Sequence, residues 1–374
     1  MKYWFLLLII PWACKDKYVA NIHVPPLGFL VVEGFINVGN GSTNIQLSRA
    51  SSLDSPVIIW ENGADLAVQS ENGASYSLNQ DSAGHYSIGQ LPVDLTQKYR
   101  LYIRTTNGKE YLSEFSEAKI SPPIDSVNWT ANQEQVTIYV STHDEQNKTL
   151  YYQWQFEETW KYTSAYGSDI EYKGGQIVIR PDSDMVHICW RSDVSTTIAI
   201  ASSAKLSSDV IYQFPLTLVP YNSTDKLINR YSILVKQFAL TQDWYEWKLK
   251  VKKNTEQLGT IFDAQPSTTG GNITCTTDPT ESVVGFIGCT SETEKRIFID
   301  RSEIPPTPVF SGYEYCQLDT VKLSDVDATF SSGFNLPTQQ YYLNGFLVGI
   351  IGADAACVDC RFKGGTLIQP PFWQ

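Results

Sequence analysis

Short alternating apolar stretches, separated by Gly and Asn turns, recur along most of the chain and leave little room for anything but β-structure. Tyr99, Leu101 and Ile103 alternate with Arg100, Tyr102 and Arg104, the two-residue period of a strand with one buried face. Phe29-Leu30-Val31-Val32-Glu33-Gly34-Phe35, Ile45-Gln46-Leu47 and Leu66-Ala67-Val68 continue the pattern, and Asn62-Gly63 and Asn107-Gly108 are dipeptides that close tight hairpins. The chain carries 21 Tyr, 16 Phe and 10 Trp against only 2 Met, and aromatic side chains fit a pleated, half-buried surface. Strands this closely spaced between residues 27 and 120, with no helical periodicity among them, predict an immunoglobulin-like β-sandwich. It lacks the Cys–Trp–Cys framework, because no cysteine falls there.

Ser121-Pro122-Pro123 marks a boundary, since proline restricts its neighbours and removes a backbone donor. Residues 121–374 predict a larger β-rich domain with strands such as Val136-Thr137-Ile138-Tyr139-Val140 and Tyr151-Tyr152-Gln153-Trp154-Gln155-Phe156-Glu157. One segment breaks the rhythm. Thr241 is placed to cap a helix over residues 241–258, with Trp244, Trp247, Val251 and Leu258 on one face and Gly259 just past its end. Glu246 and Lys250 have the spacing of a helical ion pair.

The first thirteen residues have a different character. Lys2 precedes an apolar run from Tyr3 to Ile10, and Ala13 stands directly before Cys14. The run is about half the length a membrane-spanning helix needs. It reads instead as an export signal, cut before Cys14, and resembles the lipobox of a bacterial lipoprotein. On that reading Cys14 carries a lipid that anchors the chain to the outer membrane, and residues 14–26 form a short tether ending in Val24-Pro25-Pro26. Lys15-Asp16-Lys17 resembles the surface-export signal of Bacteroidota lipoproteins, which places the folded part outside the cell.

Six cysteines remain: Cys189, Cys275, Cys289, Cys316, Cys357 and Cys360. An even number in an exported chain fits a disulfide framework, with fifteen pairings open. Cys275 and Cys289 flank a predicted hairpin, which favours joining them and pairing Cys189 and Cys316 with the two C-terminal cysteines. The Cys357-Val358-Asp359-Cys360 spacing lacks both the βαβ context of a redox pair and the second ligand pair of a zinc site, so it reads as two structural half-cystines.

Catalytic signatures are absent from the sequence: no zinc-protease histidine pattern, no nucleophile elbow, no phosphate loop and no dinucleotide fingerprint. Asp182-Ser183-Asp184 and Asp325-Val326-Asp327 lack the glycine and closing glutamate of a calcium loop, so neither a metal nor a cofactor is expected. The net charge of −12 repels phosphate backbones and argues against a nucleic-acid partner. The one compact cluster with binding character is Trp154, Glu157, Glu158 and Trp160, where carboxylates beside tryptophan suit a sugar or a cation. The competing reading is core aromatics with a solvated acidic neighbour.

Several pieces in order carry a resemblance: Val31-Val32-Glu33-Gly34, Leu47-Ser48-Arg49, Glu158-Thr159-Trp160, Gly259 through Pro266, Gly271-Asn272-Ile273, Val284-Gly285-Phe286 and the ending from Cys357 to Trp373. Together they resemble the Bacteroidota outer-membrane lipoprotein family known as domain of unknown function 4249. The resemblance implies a surface lipoprotein encoded beside a TonB-dependent transporter, and so an accessory subunit that binds a glycan, peptide or other small solute during nutrient uptake. No catalytic residue follows from it. The expectation is a non-enzymatic binding protein. The alternatives are a secreted hydrolase whose carboxylates meet only in three dimensions, roughly 5–10 Å apart, or a structural subunit of an outer-membrane assembly.

Overall fold

The computed structural model describes residues 28–51, 57–256 and 270–373. Residues 1–26, read above as export signal, Cys14 and tether, and the expected helix-end residues Leu258 and Gly259 lie outside the described residues. The fold is mainly β, as the alternation predicts, and the strand Lys98–Arg104 buries Tyr99, Leu101 and Ile103 on one face.

The N-terminal strands build one large sheet. Leu30–Asn37 pairs with Thr43–Arg49, which pairs with His85–Ile88; Ser75–Ser82, Asp65–Ser70 and Lys98–Arg104 follow in turn. The path closes on itself, because Ser116–Lys119 pairs back onto Lys98–Arg104 and also, through Cys289–Thr290, reaches Leu30–Asn37. Its core is a continuous apolar cluster that includes Leu30, Ile36, Ile45, Leu47, Val68 and Tyr111.

Three strands of this sheet come from far along the chain. Ile273–Cys275 pairs with Glu110–Ser113, Val283–Val284 runs parallel to Leu30–Asn37, and Cys289–Thr290 lies parallel between Leu30–Asn37 and Ser116–Lys119. Residues 273–290 therefore contribute to the first sheet although they lie far beyond the Ser121-Pro122-Pro123 boundary. Ile273, Cys275, Val283, Ile287 and Cys289 are buried in its core.

The second body is a sandwich of two sheets. One holds Ile124–Ala131, Gln135–His143 and Val210–Pro220; the other holds Ile188–Val194, Tyr151–Thr163, Arg230–Ala239 and Glu292–Asp300, with Ala199–Ser202 beside Tyr151–Thr163. Between them pack Val136, Ile138, Val140, Trp154, Phe156 and Ile233. Beyond it lies a small three-stranded sheet of Asp319–Lys322, Phe346–Asp354 and Asn335–Leu343, packed near the hairpin of Ile170–Lys173 and Gln176–Ile179.

The helix runs from Gln242 to Glu256. Thr241 Oγ1 accepts from the Trp244 amide at 3.3 Å, the side-chain cap its sequence position predicts. The expected Glu246–Lys250 pair is replaced: Glu246 accepts from Gln242 at 2.8 Å, and the helical ion pair is Lys252–Glu256 at 3.6 Å. Among the described residues, no helix is long and apolar enough to cross a membrane.

Two disulfides join Cys189 to Cys360 and Cys316 to Cys357. Cys189 and Cys316 thus take the two C-terminal cysteines as partners. The Cys275–Cys289 bond favoured by the sequence is not formed, and both are buried free thiols. The flanking segments do not pair with each other: Cys275 stands opposite Tyr111 in the ladder, whereas Cys289 stands opposite Ile36 and Ala118.

Candidate functional site

Alternation along Tyr151–Thr163 decides where each residue of the predicted cluster points. Trp154, Phe156, Glu158, Trp160 and Tyr162 share the face turned into the sandwich. Trp154 is fully buried, stacks on Phe214 with centroids 4.8 Å apart, and donates from Nε1 to Gln237 at 2.9 Å. Glu158 accepts from Tyr231 at 2.7 Å and from Lys226 Nζ at 2.5 Å. Trp160 lies beneath the cations of Lys226 and Arg191, 5.1 and 5.5 Å from its ring. Glu157 points to the opposite face and pairs with Lys236 at 3.2 Å. The four predicted residues are therefore not gathered on one surface.

The opposite face of the same strand contributes to a cleft instead. Gln153 and Gln155 look toward Glu33, Gly34 and Phe35 of the first strand and toward Asn44 and Gln46 of its neighbour, while the helix closes the side with Trp244, Trp247 and Lys248. Phe238 and Phe286 complete a cavity of about 360 Å³, within the range of small-molecule sites.

Its aromatic wall is built around Phe286. Trp244 lies parallel to that ring, with centroids 6.0 Å apart and 4° between planes, and Trp247 meets it at 5.8 Å and 40°. The seat of Phe286 depends on close backbone approach. Gly285 has φ +143°, and a Cβ there would stand 2.2 Å from the Val32 carbonyl oxygen. Asn272 fastens the next residue, donating from Nδ2 to the Ile287 carbonyl and accepting from the Ile287 amide, both at 2.9 Å. Gly288 faces the Trp244 ring so closely that a Cβ would lie 2.2 Å from Cε3. The short pieces at 31–34, 271–273 and 284–286 therefore meet at one place, the foot of this wall.

Burial pulls the Lys248 ammonium below the usual lysine range, and the charge of Glu33 only partly offsets this. Lys248 lies 5.4 Å over the Trp247 ring and has no hydrogen-bond or ion-pair partner among the described residues. Among the described residues, Glu33 is the single carboxylate lining the cavity. Flat aromatic faces, four side-chain amides and one unpaired cation suit a ligand with apolar C–H faces and several hydroxyl or carboxylate oxygens.

Sequence reasoning missed this site because its residues come from six separate segments. The helix periodicity placed Trp244 and Trp247 on one packing face; Trp244 is buried, but Trp247 and Lys248 line the cavity. The signal that was present is the alternation of Tyr151–Thr163, which sets Gln153 and Gln155 opposite the buried tryptophans.

A second charged region lies on the first sheet. Arg49 pairs with Glu61 at 2.6 Å and Glu281 at 3.3 Å, Tyr111 donates to Glu281 at 2.6 Å, and Lys109 reaches both Asp278 and Glu281. These ion pairs fasten residues 278–281 to the sheet. Among the described residues, no group of three His, Cys, Asp or Glu is arranged to hold a metal; Asp182–Asp184 forms a short 3₁₀ turn.

No protein of curated function matches the chain. Among solved structures, the adhesin InvE of Yersinia pseudotuberculosis shares 16% identity, with a TM-score of 0.14. The match spans 52% of this chain and 58% of that structure's. The model of the family described as Domain of unknown function (DUF4249) matches residues 15–296, a span that contains every residue of the cleft and ends before the small C-terminal sheet. The chain belongs to this family.

Proposed function

We propose that this protein is a lipid-tethered binding protein on the outer face of the outer membrane, and that the aromatic cleft holds a polar solute of about sugar size for an adjacent TonB-dependent transporter. The observation that carries the binding role is the cleft itself. Trp247 and Phe286 offer stacking faces, Gln153, Gln155, Asn44 and Gln46 offer paired donors and acceptors, and Lys248 is a cation with no hydrogen-bond or ion-pair partner among the described residues. The export signal before Cys14 and the resemblance noted in the sequence motivate the tether and the transporter partner. Among the described residues Glu33 is the one carboxylate of the cleft, which favours holding a ligand over the two-carboxylate chemistry of a glycoside hydrolase.

The test is a titration of the full chain, followed by tryptophan fluorescence and calorimetry, against neutral saccharides, saccharides bearing a carboxylate, and short peptides. One of these classes is expected to saturate. Trp247→Ala should weaken it at least tenfold, about 1.4 kcal/mol, and Lys248→Met should weaken carboxylate-bearing ligands more than neutral ones. Saturation that survives Trp247→Ala unchanged would move the site elsewhere. Purification from native membranes in detergent tests the partner: a β-barrel of transporter size should accompany the chain, and a solitary monomer counts against that role.

A further inference from the structure

A second feature lies outside the cleft and owes nothing to it. Asn335–Leu343 and Phe346–Asp354 form a hairpin whose root is built into the C-terminal sheet and whose tip is not. Pairing with Asp319–Lys322 stops at Gly349, so residues 341–348 extend as a two-stranded finger. The root is held firmly: Ile350 and Phe330 are buried together, and the Cys316–Cys357 disulfide closes the segment that contains the hairpin. At the tip, Asn344 and Gly345 have φ of +50° and +83°, the signature of a tight hairpin turn.

The finger is apolar on both faces. Successive strand residues point to opposite sides, yet Tyr341, Tyr342 and Leu343 on one strand and Phe346, Leu347 and Val348 on the other are all exposed, Phe346 at 76% and Leu343 at 55%. No charged residue lies between Asp327 and Asp354, in a chain that carries 40 acidic and 28 basic residues. Exposed apolar surface of this extent marks a binding surface. A flat protein partner would cover one face of a two-stranded finger, whereas a fluid apolar medium covers both.

Polarity along the finger points to the same medium. Gln339 and Gln340 stand at its base, Tyr341 and Tyr342 come next with Leu347 opposite Tyr342, and Leu343 faces Phe346 directly before the Asn344-Gly345 turn. Below the turn, the succession of amides, tyrosines and then the apolar Leu343–Phe346 pair follows a bilayer from headgroups through the interfacial aromatic belt toward the acyl chains. Tyr341 to Asn344 spans about 10 Å at roughly 3.3 Å per residue, and interfacial elements bury about 5–10 Å. At so shallow a depth, the outward backbone groups of the two strands keep headgroup and water partners.

We infer that the 341–348 finger is a membrane-interface anchor that inserts its Leu343, Phe346 and Leu347 tip into the outer leaflet of a bilayer beside the protein. Lacking charge, it binds through apolar burial, so neither anionic lipid nor salt should control it.

The inference is tested on the full chain carrying Cys14→Ser, which cannot take a lipid, with Tyr342→Cys bearing an environment-sensitive dye. The same dye at Ser75→Cys, exposed on the first sheet, serves as the comparison and discounts binding through the apolar N-terminal run. On phosphatidylcholine vesicles the dye at position 342 should shift to the blue and be quenched by spin-labelled lipid, while the dye at 75 does neither. Adding an anionic lipid should leave the partition coefficient unchanged. Leu343→Lys with Phe346→Lys should lower it at least tenfold, about 1.4 kcal/mol, with an unchanged melting temperature because both side chains already face solvent. Equal responses at 342 and 75, or partition indifferent to the lysines, would overturn the inference. So would a blue shift that needs only a rise in protein concentration, since the occupant would then be a second copy. Ligand saturation of the cleft is read separately, so either result stands without the other.

Discussion

Gly288→Ala tests how the cleft wall is built. An alanine Cβ would lie 2.2, 2.4 and 2.8 Å from Cε3, Cζ3 and Cδ2 of Trp244, where ordinary carbon contacts are about 3.5–4.0 Å. The indole must therefore retreat by more than about 1 Å. Phe286 blocks simple relief, because it stacks on Trp244 and is itself seated by Gly285 against the Val32 carbonyl. Overpacking of this kind costs about 1–3 kcal/mol, or a fall of about 2–6 °C in melting temperature at roughly 2 °C per kcal/mol for a large domain. Thermal and denaturant unfolding followed by circular dichroism measure it. The decisive control is Trp244→Leu, which deletes the three atoms that clash. In that background Gly288→Ala should cost at least about 1 kcal/mol less, a coupling expected only of residues in contact. An identical loss in both backgrounds, or no loss in either, would refute the reasoning.

The charged network and the covalent links each set a measurable share of stability. Burial raises the Glu281 carboxyl, but hydrogen bonds from Lys109 and Tyr111 and the charges of Lys109 and Arg49 outweigh it, leaving the group below its ordinary value of 4.5. Its contribution is then fully present above the unfolded-state value and lost as pH falls through the folded one. Glu281→Gln should cost about 2 kcal/mol at neutral pH and flatten the acid limb of the stability profile below pH 4.5; an unchanged acid limb would contradict this. Removing the Cys316–Cys357 bond, which closes a separation of 41 residues, should cost about 4 kcal/mol on the chain-entropy estimate. The Cys189–Cys360 bond, spanning 171 residues, should cost about 5 kcal/mol, and denaturant unfolding of the paired serine variants gives the comparison.

Local signals carried the fold further than the site. The strand at Lys98–Arg104 and the Thr241 cap were legible because a two-residue period and a capping hydroxyl act within a few residues. The Trp154 and Glu158 cluster was ambiguous because burial on a strand depends on which face meets the partner sheet. Here Lys226 and Tyr231, more than sixty residues away, satisfy the carboxylate. Cys275 and Cys289 were misleading for a related reason. Their flanks have the pattern of a hairpin, but each strand finds a better edge on the first sheet, opposite Tyr111 and Ile36. The cleft needs strands from both bodies and the helix at once, and no window of sequence contains it.

The late return of residues 273–290 to the first sheet has a consequence for biogenesis. A chain emerging from its N-terminus cannot finish its first sheet when residue 120 appears, because the parallel partners of Leu30–Asn37 and the central Cys289–Thr290 strand are not yet present. The first sheet must wait, half-built, while well over a hundred further residues arrive, and such distant pairings are slow to form. From their own arrival until the sheet closes, the Cys275 and Cys289 thiols are free to exchange with Cys189 and Cys360, which must find each other. Closing the sheet buries both thiols, and burial pushes Cys289 up to about 12, where it is protonated and unreactive. Completion of the sheet is therefore also the step that removes two competitors from disulfide exchange.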